Sequence, residues 1–174
     1  ELHIGPATHL QWWPEAQTVL LRFFDQHLKQ VQTGQSQLQL WDLGTKQWSS
    51  RPQSSALSWS LQGGGLACLD PNEGRLLNPP EGSGGTVTVV HDPWRPVPAV
   101  GGHLSPSAGP CDRSSIDQRS DVAVFTSAPL QDTRVLNGRP VLRCEASADQ
   151  PGFDLSVTLS RLPAGSTTTQ QLWL

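Results

Sequence analysis

His9 is the residue best placed to do chemistry in this chain. It follows a short apolar strand, Leu2–Ile4, and the turn-forming pair Gly5-Pro6, so it sits on a loop at the end of a strand. An imidazole titrates near neutral pH and can take a proton from a hydroxyl and pass it to a leaving group. That work needs a serine hydroxyl as nucleophile and a carboxylate to fix the imidazole tautomer. The Gly-x-Ser-x-Gly turn that presents such a serine does not occur; the nearest stretch, Gly34-Gln35-Ser36-Gln37-Leu38, fails at its last position. A base without a nucleophile does little, so the chain alone is expected to be inactive. The competing reading of His9 is an ordinary loop histidine.

Trp12 and Trp13 follow that loop and could border a substrate pocket, where an apolar wall excludes water. They serve equally well as a hydrophobic staple onto the next helix. Asp92, Asp112 and Asp121 raise the question of a cation, but calcium requires several oxygens converging from one loop. Spread as they are, these carboxylates read as turn caps and as partners for Arg95, Arg113 and Arg119; no metal and no cofactor is predicted. Cys68, Cys111 and Cys144 are odd in number and widely spaced, which fits neither a disulfide framework nor a zinc site. They read as free thiols, with Cys144 buried in a strand, and favour a reducing, cytoplasmic compartment. Trp41, Trp48, Trp59, Trp94 and Trp173 invite a sugar-stacking reading, although Trp41 and Trp59 fall in strand patterns where core packing accounts for them.

The elements that must position these residues are legible in outline. Pro14 to Lys29 reads as a helix: Pro14 suits its first turn, Glu15 its positive end, and Gly34 lies beyond its stop. Ala16, Val19, Leu20, Phe23 and Phe24 form one apolar face. That face should pack on a sheet, yet no following parallel strand is evident, so its partner sheet is expected upstream of Glu1. Further on, Leu38–Trp41, the alternating Leu57, Trp59 and Leu61, Thr86–Val90, Val122–Phe125, Val141–Ala146, Leu155–Leu162 and Gln170–Leu174 read as strands. Gly44-Thr45 reads as a turn leading to Trp48. The long connection from Asp92 to Asp121 reads as ordered because of its apolar and tryptophan content.

The chain has 174 residues, 16 of them glycine and 15 proline, and short strands separated by long loops suggest a β-sandwich. A formal charge of −3 with scattered basic residues excludes a nucleic-acid footprint. No apolar run approaches the length of a bilayer span. The first residues do not read as a secretory signal, and an opening on Glu1 with no Met anywhere suggests a fragment.

Taken in order, these segments resemble the cocaine-esterase and X-Pro dipeptidyl-peptidase group of serine hydrolases, the CocE/NonD family. Its Ile/Val-Gly-Pro-Trp-x-His motif corresponds to Ile4-Gly5-Pro6-Ala7-Thr8-His9, and its Phe-Phe-Asp-x-His/Tyr-Leu helix end to Phe23–Leu28. The family's G-x-x-x-W turn corresponds to Gly44–Trp48. Its Tyr-Asp-Pro-x-x-Pro-Val-Pro-x-x-Gly-Gly signature corresponds to His91-Asp92-Pro93-Trp94-Arg95-Pro96-Val97-Pro98-Ala99-Val100-Gly101-Gly102. Gly109-Pro110-Cys111-Asp112, Arg119-Ser120-Asp121-Val122 through Thr126-Ser127, and Phe153-Asp154 continue the correspondence. Ala7, His91 and Phe125 replace a family Trp, Tyr and Tyr, and family members continue for several strands beyond the last residue here.

The resemblance implies a mainly β fold, a jelly-roll β-sandwich of galactose-binding-like type, preceded by the last loop and helix of an α/β-hydrolase domain. Residues 1–33 would close that hydrolase domain, and residues 34–174 would form the jelly roll, shortened relative to the family. It implies His9 as the general base of a serine hydrolase that cleaves esters or amides through an acyl-enzyme, with Ser and Asp supplied ahead of Glu1. Leu104 and Ser105, in the loop after the Pro-Val-Pro signature, join Trp12 and Trp13 as pocket candidates; His103 reads as a solvated loop residue. The implied partners are a small-molecule ester, amide or peptide substrate, the missing α/β-hydrolase portion, and a second copy of the chain if the apolar helix face seeks cover. No nucleic acid and no membrane is implied. The rival reading is a non-catalytic jelly-roll binding or assembly module.

Overall fold

The computed structural model describes residues 2–7, 11–32, 38–50, 56–67, 74–82, 84–98, 100–101 and 111–173. The described residues are mostly strand and loop, with one long helix. They divide into two compact units, Glu1–Ser54 and Ser55–Leu174.

The first unit is a strand–helix–strand crossover closed by a hairpin. Strand β1 (Leu2–Ile4) leads to helix α1 (Ala16–Leu28), and β2 (Leu38–Asp42) and β3 (Gln47–Ser49) follow. β1 and β2 pair in parallel with Leu2 opposite Leu38, and β3 pairs antiparallel with β2, with Trp41 opposite Trp48. Parallel neighbours need a crossover of a dozen or more residues, and α1 supplies it. Asp42 fixes the hairpin turn: its Oδ1 accepts the backbone N–H of Gly44 at 2.7 Å and of Thr45 at 2.9 Å.

One expectation is corrected here. A parallel strand does follow the helix: β2 lies beside β1, so α1 belongs to a crossover built within this chain. The first compact unit extends to Ser54, since β2 pairs with β1 and β3 with β2. Helix α1 also begins two residues later than Pro14; Pro14 and Glu15 form a turn, and Ala16 N–H donates to the Trp13 carbonyl at 3.1 Å. Its end is marked by Gln30 at φ +58° and by the Lys29–Asp25 ion pair at 2.6 Å. Of its apolar face only Ala16 is buried, while Leu20, Phe23, Phe24 and Leu28 are exposed.

The second unit has small sheets. β4 (Ser60–Gln62), β6 (Gly74–Leu77) and β8 (Phe125–Ser127) form one, with β4 antiparallel and β8 parallel to β6. β5 (Gly65–Leu66) pairs in parallel with β7 (Val87–Thr88), and β9 (Leu159–Arg161) pairs antiparallel with β10 (Gln170–Trp173). A single helical turn, α2 (Ser114–Asp117), carries the buried Ile116. Arg113 N–H donates to the Thr169 carbonyl at 3.1 Å, and Gln171 N–H to the Cys111 carbonyl at 2.9 Å.

Several predicted strands shrink or shift by a few residues, and one does not form. Val141–Ala146 carries no strand pairing, and Cys144 is exposed where burial in a strand was expected. No backbone hydrogen bond joins residues 138–158 to another described residue. With no neighbour supplying a ladder or an apolar floor, β propensity alone does not hold a strand. Among the described residues, no helix is long and apolar enough to cross a membrane.

Candidate functional site

The loop that carries His9 leaves β1 through Gly5-Pro6-Ala7. His9 itself lies outside the described residues, as do Leu104 and Ser105. Of the residues singled out from sequence for the site, the structure places Trp12 and Trp13, and it brings them together with His3 and Trp48.

Trp13 stacks on Trp12 at 5.9 Å between ring centroids and on His3 at 6.3 Å, and it meets Trp48 at 5.5 Å. Trp48 in turn receives His3 edge-on at 5.6 Å and Trp41 at 5.4 Å. The cluster follows from the pairing described above. Parallel register sets His3 of β1 beside β2, the hairpin register sets Trp41 opposite Trp48, and the short connection to α1 folds Trp13 back over both. His3, Trp12, Trp13 and the Ala16–Val19–Leu20–Phe23 face of α1 line a cavity of about 270 Å³. The Trp13 Nε1 donor is buried with no hydrogen-bond partner among the described residues. The hollow is thus an open aromatic and aliphatic groove, in which Trp12, Leu20 and Phe23 stay exposed.

The nearby carboxylates are committed elsewhere. Asp42 is held below its ordinary carboxylate range, first by the Thr45 backbone N–H and then by that of Gly44. Asp25 takes the Lys29 ammonium. The first unit therefore supplies an apolar wall, while Asp25 and Asp42 do structural work.

The acidic residues weighed as cation ligands are likewise engaged. Asp92 Oδ1 accepts the Trp94 N–H at 3.0 Å. Asp112 Oδ1 accepts the Ser114 N–H at 2.9 Å and hydroxyl at 2.7 Å, and these bonds, the backbone one foremost, lower its pKa. Asp121 takes Nε and Nη2 of Arg119 at 2.7 Å each, and Arg119 Nη2 also reaches the Arg95 carbonyl. Turn capping and arginine pairing account for all three. Among the described residues no group of three or more His, Cys, Asp or Glu side chains gathers as metal ligands. Arg113 donates from Nη1 to Gln171 Oε1 at 3.0 Å, and burial pushes the adjacent Cys111 thiol up.

His3 and Trp48 were legible only in part. His3 read as one position of an apolar strand end, and nothing local marks it as a partner of tryptophans. Trp48 carried a signal: with Trp41 it brackets the Gly44-Thr45 turn, which places the two rings across a hairpin.

Compared with known proteins, residues 9–171 match the family described as the X-Pro dipeptidyl-peptidase C-terminal non-catalytic domain. The chain belongs to that family. It is also similar to cocaine esterase of Rhodococcus sp. (strain MB1 Bresler), 28% identical over 156 residues that make up 83% of this chain. The match spans 27% of that relative's length. No solved structure matches the chain. The membership read from the Ile4–His9, Phe23–Leu28 and His91–Gly102 motifs is borne out, and the chain is a β-rich member of a hydrolase family whose matching domain is non-catalytic.

Proposed function

We propose that this chain is the C-terminal part of a serine hydrolase that cleaves esters or amides, of the acyl-ester hydrolase and X-Pro dipeptidyl-peptidase-like kind, with His9 as general base. In this reading residues 1–33 close an α/β-hydrolase domain and residues 34–174 fold as a jelly roll against it. The observation that carries the reading is the order of parts: a sheet strand, a histidine loop and a helix with an uncovered apolar face open a chain that matches a hydrolase family over residues 9–171. The uncovered face of α1 fits the missing hydrolase portion, or in its absence a second copy.

The chemistry is that of acyl transfer to water. His9 takes the proton of a serine hydroxyl as the oxygen attacks the substrate carbonyl, then gives it to the departing alcohol or amine, leaving an acyl-enzyme. Water, deprotonated by the same imidazole, attacks the acyl carbon; the proton returns to the serine as the acid departs. Trp12 and Trp13, with Leu104 and Ser105, wall the acyl or leaving group from solvent in this reading.

The test is hydrolysis of an activated ester. The isolated chain is expected to show no turnover above buffer. His9→Ala in the complete natural polypeptide is expected to lower kcat by about 10⁶-fold. Substantial turnover by the isolated chain overturns the assignment of His9. A second reading, a non-catalytic binding or assembly module, is favoured by the non-catalytic character of the matched domain. Retained binding on a glycan array, together with a natural reading frame encoding no upstream Gly-x-Ser-x-Gly, would replace the first reading with the second.

A further inference from the structure

The second unit carries an exposed run with no strand pairing among the described residues. Residues 139–148 carry no turn, bend or helix, and residues 141–150 are all exposed. Val141 is 72% exposed and Leu142 42%, and Cys144 is a free, exposed thiol. Neither Arg143 nor Glu145 has a charged or hydrogen-bonding partner among the described residues. A run of this kind presents unpaired N–H and C=O groups, which template the addition of another strand.

Its side-chain order chooses the partner. In a strand, alternate residues share a face, so Leu142, Cys144 and Ala146 fall on one side and Val141, Arg143, Glu145 and Ser147 on the other. In an antiparallel pair centred on Cys144, each residue faces one on the same side of the ribbon. Leu142 then meets Ala146 of the second copy, Cys144 meets Cys144, and Arg143 meets Glu145 twice, once on each side of the two-fold axis. Apolar side chains oppose apolar ones and each cation opposes a carboxylate. Slipping the register by one residue breaks both matches. Pro140, which lacks an N–H, stops the ladder on one side, and the Asp149-Gln150-Pro151-Gly152 turn stops it on the other.

We infer that residues 141–147 pair antiparallel with the same residues of a second copy of this chain, about a two-fold axis through Cys144. The contact is isologous and closes after two copies.

Sedimentation of the full chain at low and high micromolar concentration tests this. A monomer–dimer equilibrium is expected. Arg143→Glu sets glutamate against Glu145 of the second copy and is expected to weaken association by about tenfold or more. The swapped pair Arg143→Glu with Glu145→Arg restores opposite charges and is expected to recover the dimer. Both side chains are exposed in the single chain, and far-UV circular dichroism checks that the variants fold. Cys144 serves as reporter, since cross-strand partners lie within disulfide reach. Mild oxidation with copper–phenanthroline, followed by peptide mass mapping, is expected to give the Cys144–Cys144 link. A chain that stays monomeric throughout, with 141–147 paired internally to residues 153–157, overturns the inference. So does a dimer indifferent to Arg143→Glu, or one linked through Cys68 or Cys111.

Discussion

Trp48 packs directly against the backbone of Gly5, leaving no room for a side chain there. A Cβ at Gly5 would run into Cη2 of the indole and lie 3.0 Å from Cζ2 and 3.3 Å from Cζ3. The ring has little freedom to withdraw, because Trp13, Trp41 and His3 hold it on other sides. Gly5 therefore does more than turn the chain after β1. It lets the hairpin tryptophan reach under the loop that leads to His9, and so couples the loop to the β2–β3 pair.

Gly5→Ala is expected to lower the stability of the first unit by about 1–3 kcal/mol through overpacking. Urea denaturation followed by tryptophan fluorescence measures it. In a Trp48→Leu background the same substitution should cost much less, because the obstructing ring is gone. An equal cost in both backgrounds would show that the glycine is needed for its backbone alone.

The Arg119–Asp121 pair should make the second unit acid-sensitive. The two-pronged hydrogen bond from Arg119 is the main reason that Asp121 sits below the ordinary carboxylate range. A carboxyl with a depressed folded-state pKa contributes stability that is fully present above its unfolded value, near about 3.9, and is lost as pH falls through the folded value. Denaturation midpoints should thus hold steady from neutral pH to about 5 and fall below about 4. Asp121→Asn should flatten that acid limb. A variant with the wild-type acid slope would assign the slope to other carboxylates, Asp42 and Asp112 among them, whose pKa values are lowered as well.

The local features of this chain were readable and the long-range ones were not. The helix over Ala16–Leu28, the turn after Asp42 and the capping roles of Asp92 and Asp112 are each decided by residues within a few positions of one another. The parallel pairing of β1 with β2 joins Leu2 to Leu38; the short β1 segment carries no periodic signal, and the pairing is chosen only when α1 folds across. The opposite case is Val141–Ala146, where the local preference for strand is real but none of the described strands pairs with it. His9 shows a third case, since a histidine's chemistry depends on groups that sequence spacing does not bring near. The family motifs identified the class of protein, and the aromatic cradle of His3, Trp13 and Trp48 emerged only from the register of the sheet.

Ile116 anchors the second unit and should be its most sensitive apolar position. At 2% exposure it is the most buried large side chain among the described residues. It sits in the one-turn helix that follows Arg113, whose backbone N–H bonds the Thr169 carbonyl and whose guanidinium bonds Gln171 of β10. Ile116→Ala is expected to cost about 2–5 kcal/mol, with loss of cooperative unfolding in the second unit. Ile116→Val, which removes one methylene, should cost about 0.5–1.5 kcal/mol. If the alanine variant unfolds at the wild-type urea concentration, the hydrophobic anchor lies elsewhere.

The two described cysteines should differ sharply as nucleophiles. Only the thiolate attacks a disulfide reagent, and access limits its rate. Burial raises the Cys111 pKa against the opposing pull of Arg113, and its Sγ lies 3.7 Å from Gln171 Oε1, wedged beside Gly101. Cys144 is exposed. In dilute protein at pH 8, an aromatic disulfide reagent should therefore modify Cys144 first, with Cys111 following at least about tenfold more slowly. Peptide mass mapping distinguishes the two sites and separates Cys68. Raising the pH should speed the reaction of Cys111, and unfolding in urea should bring the two rates together. Equal rates in the native chain would mean that the contact between Cys111 and β10 opens faster than the reagent attacks.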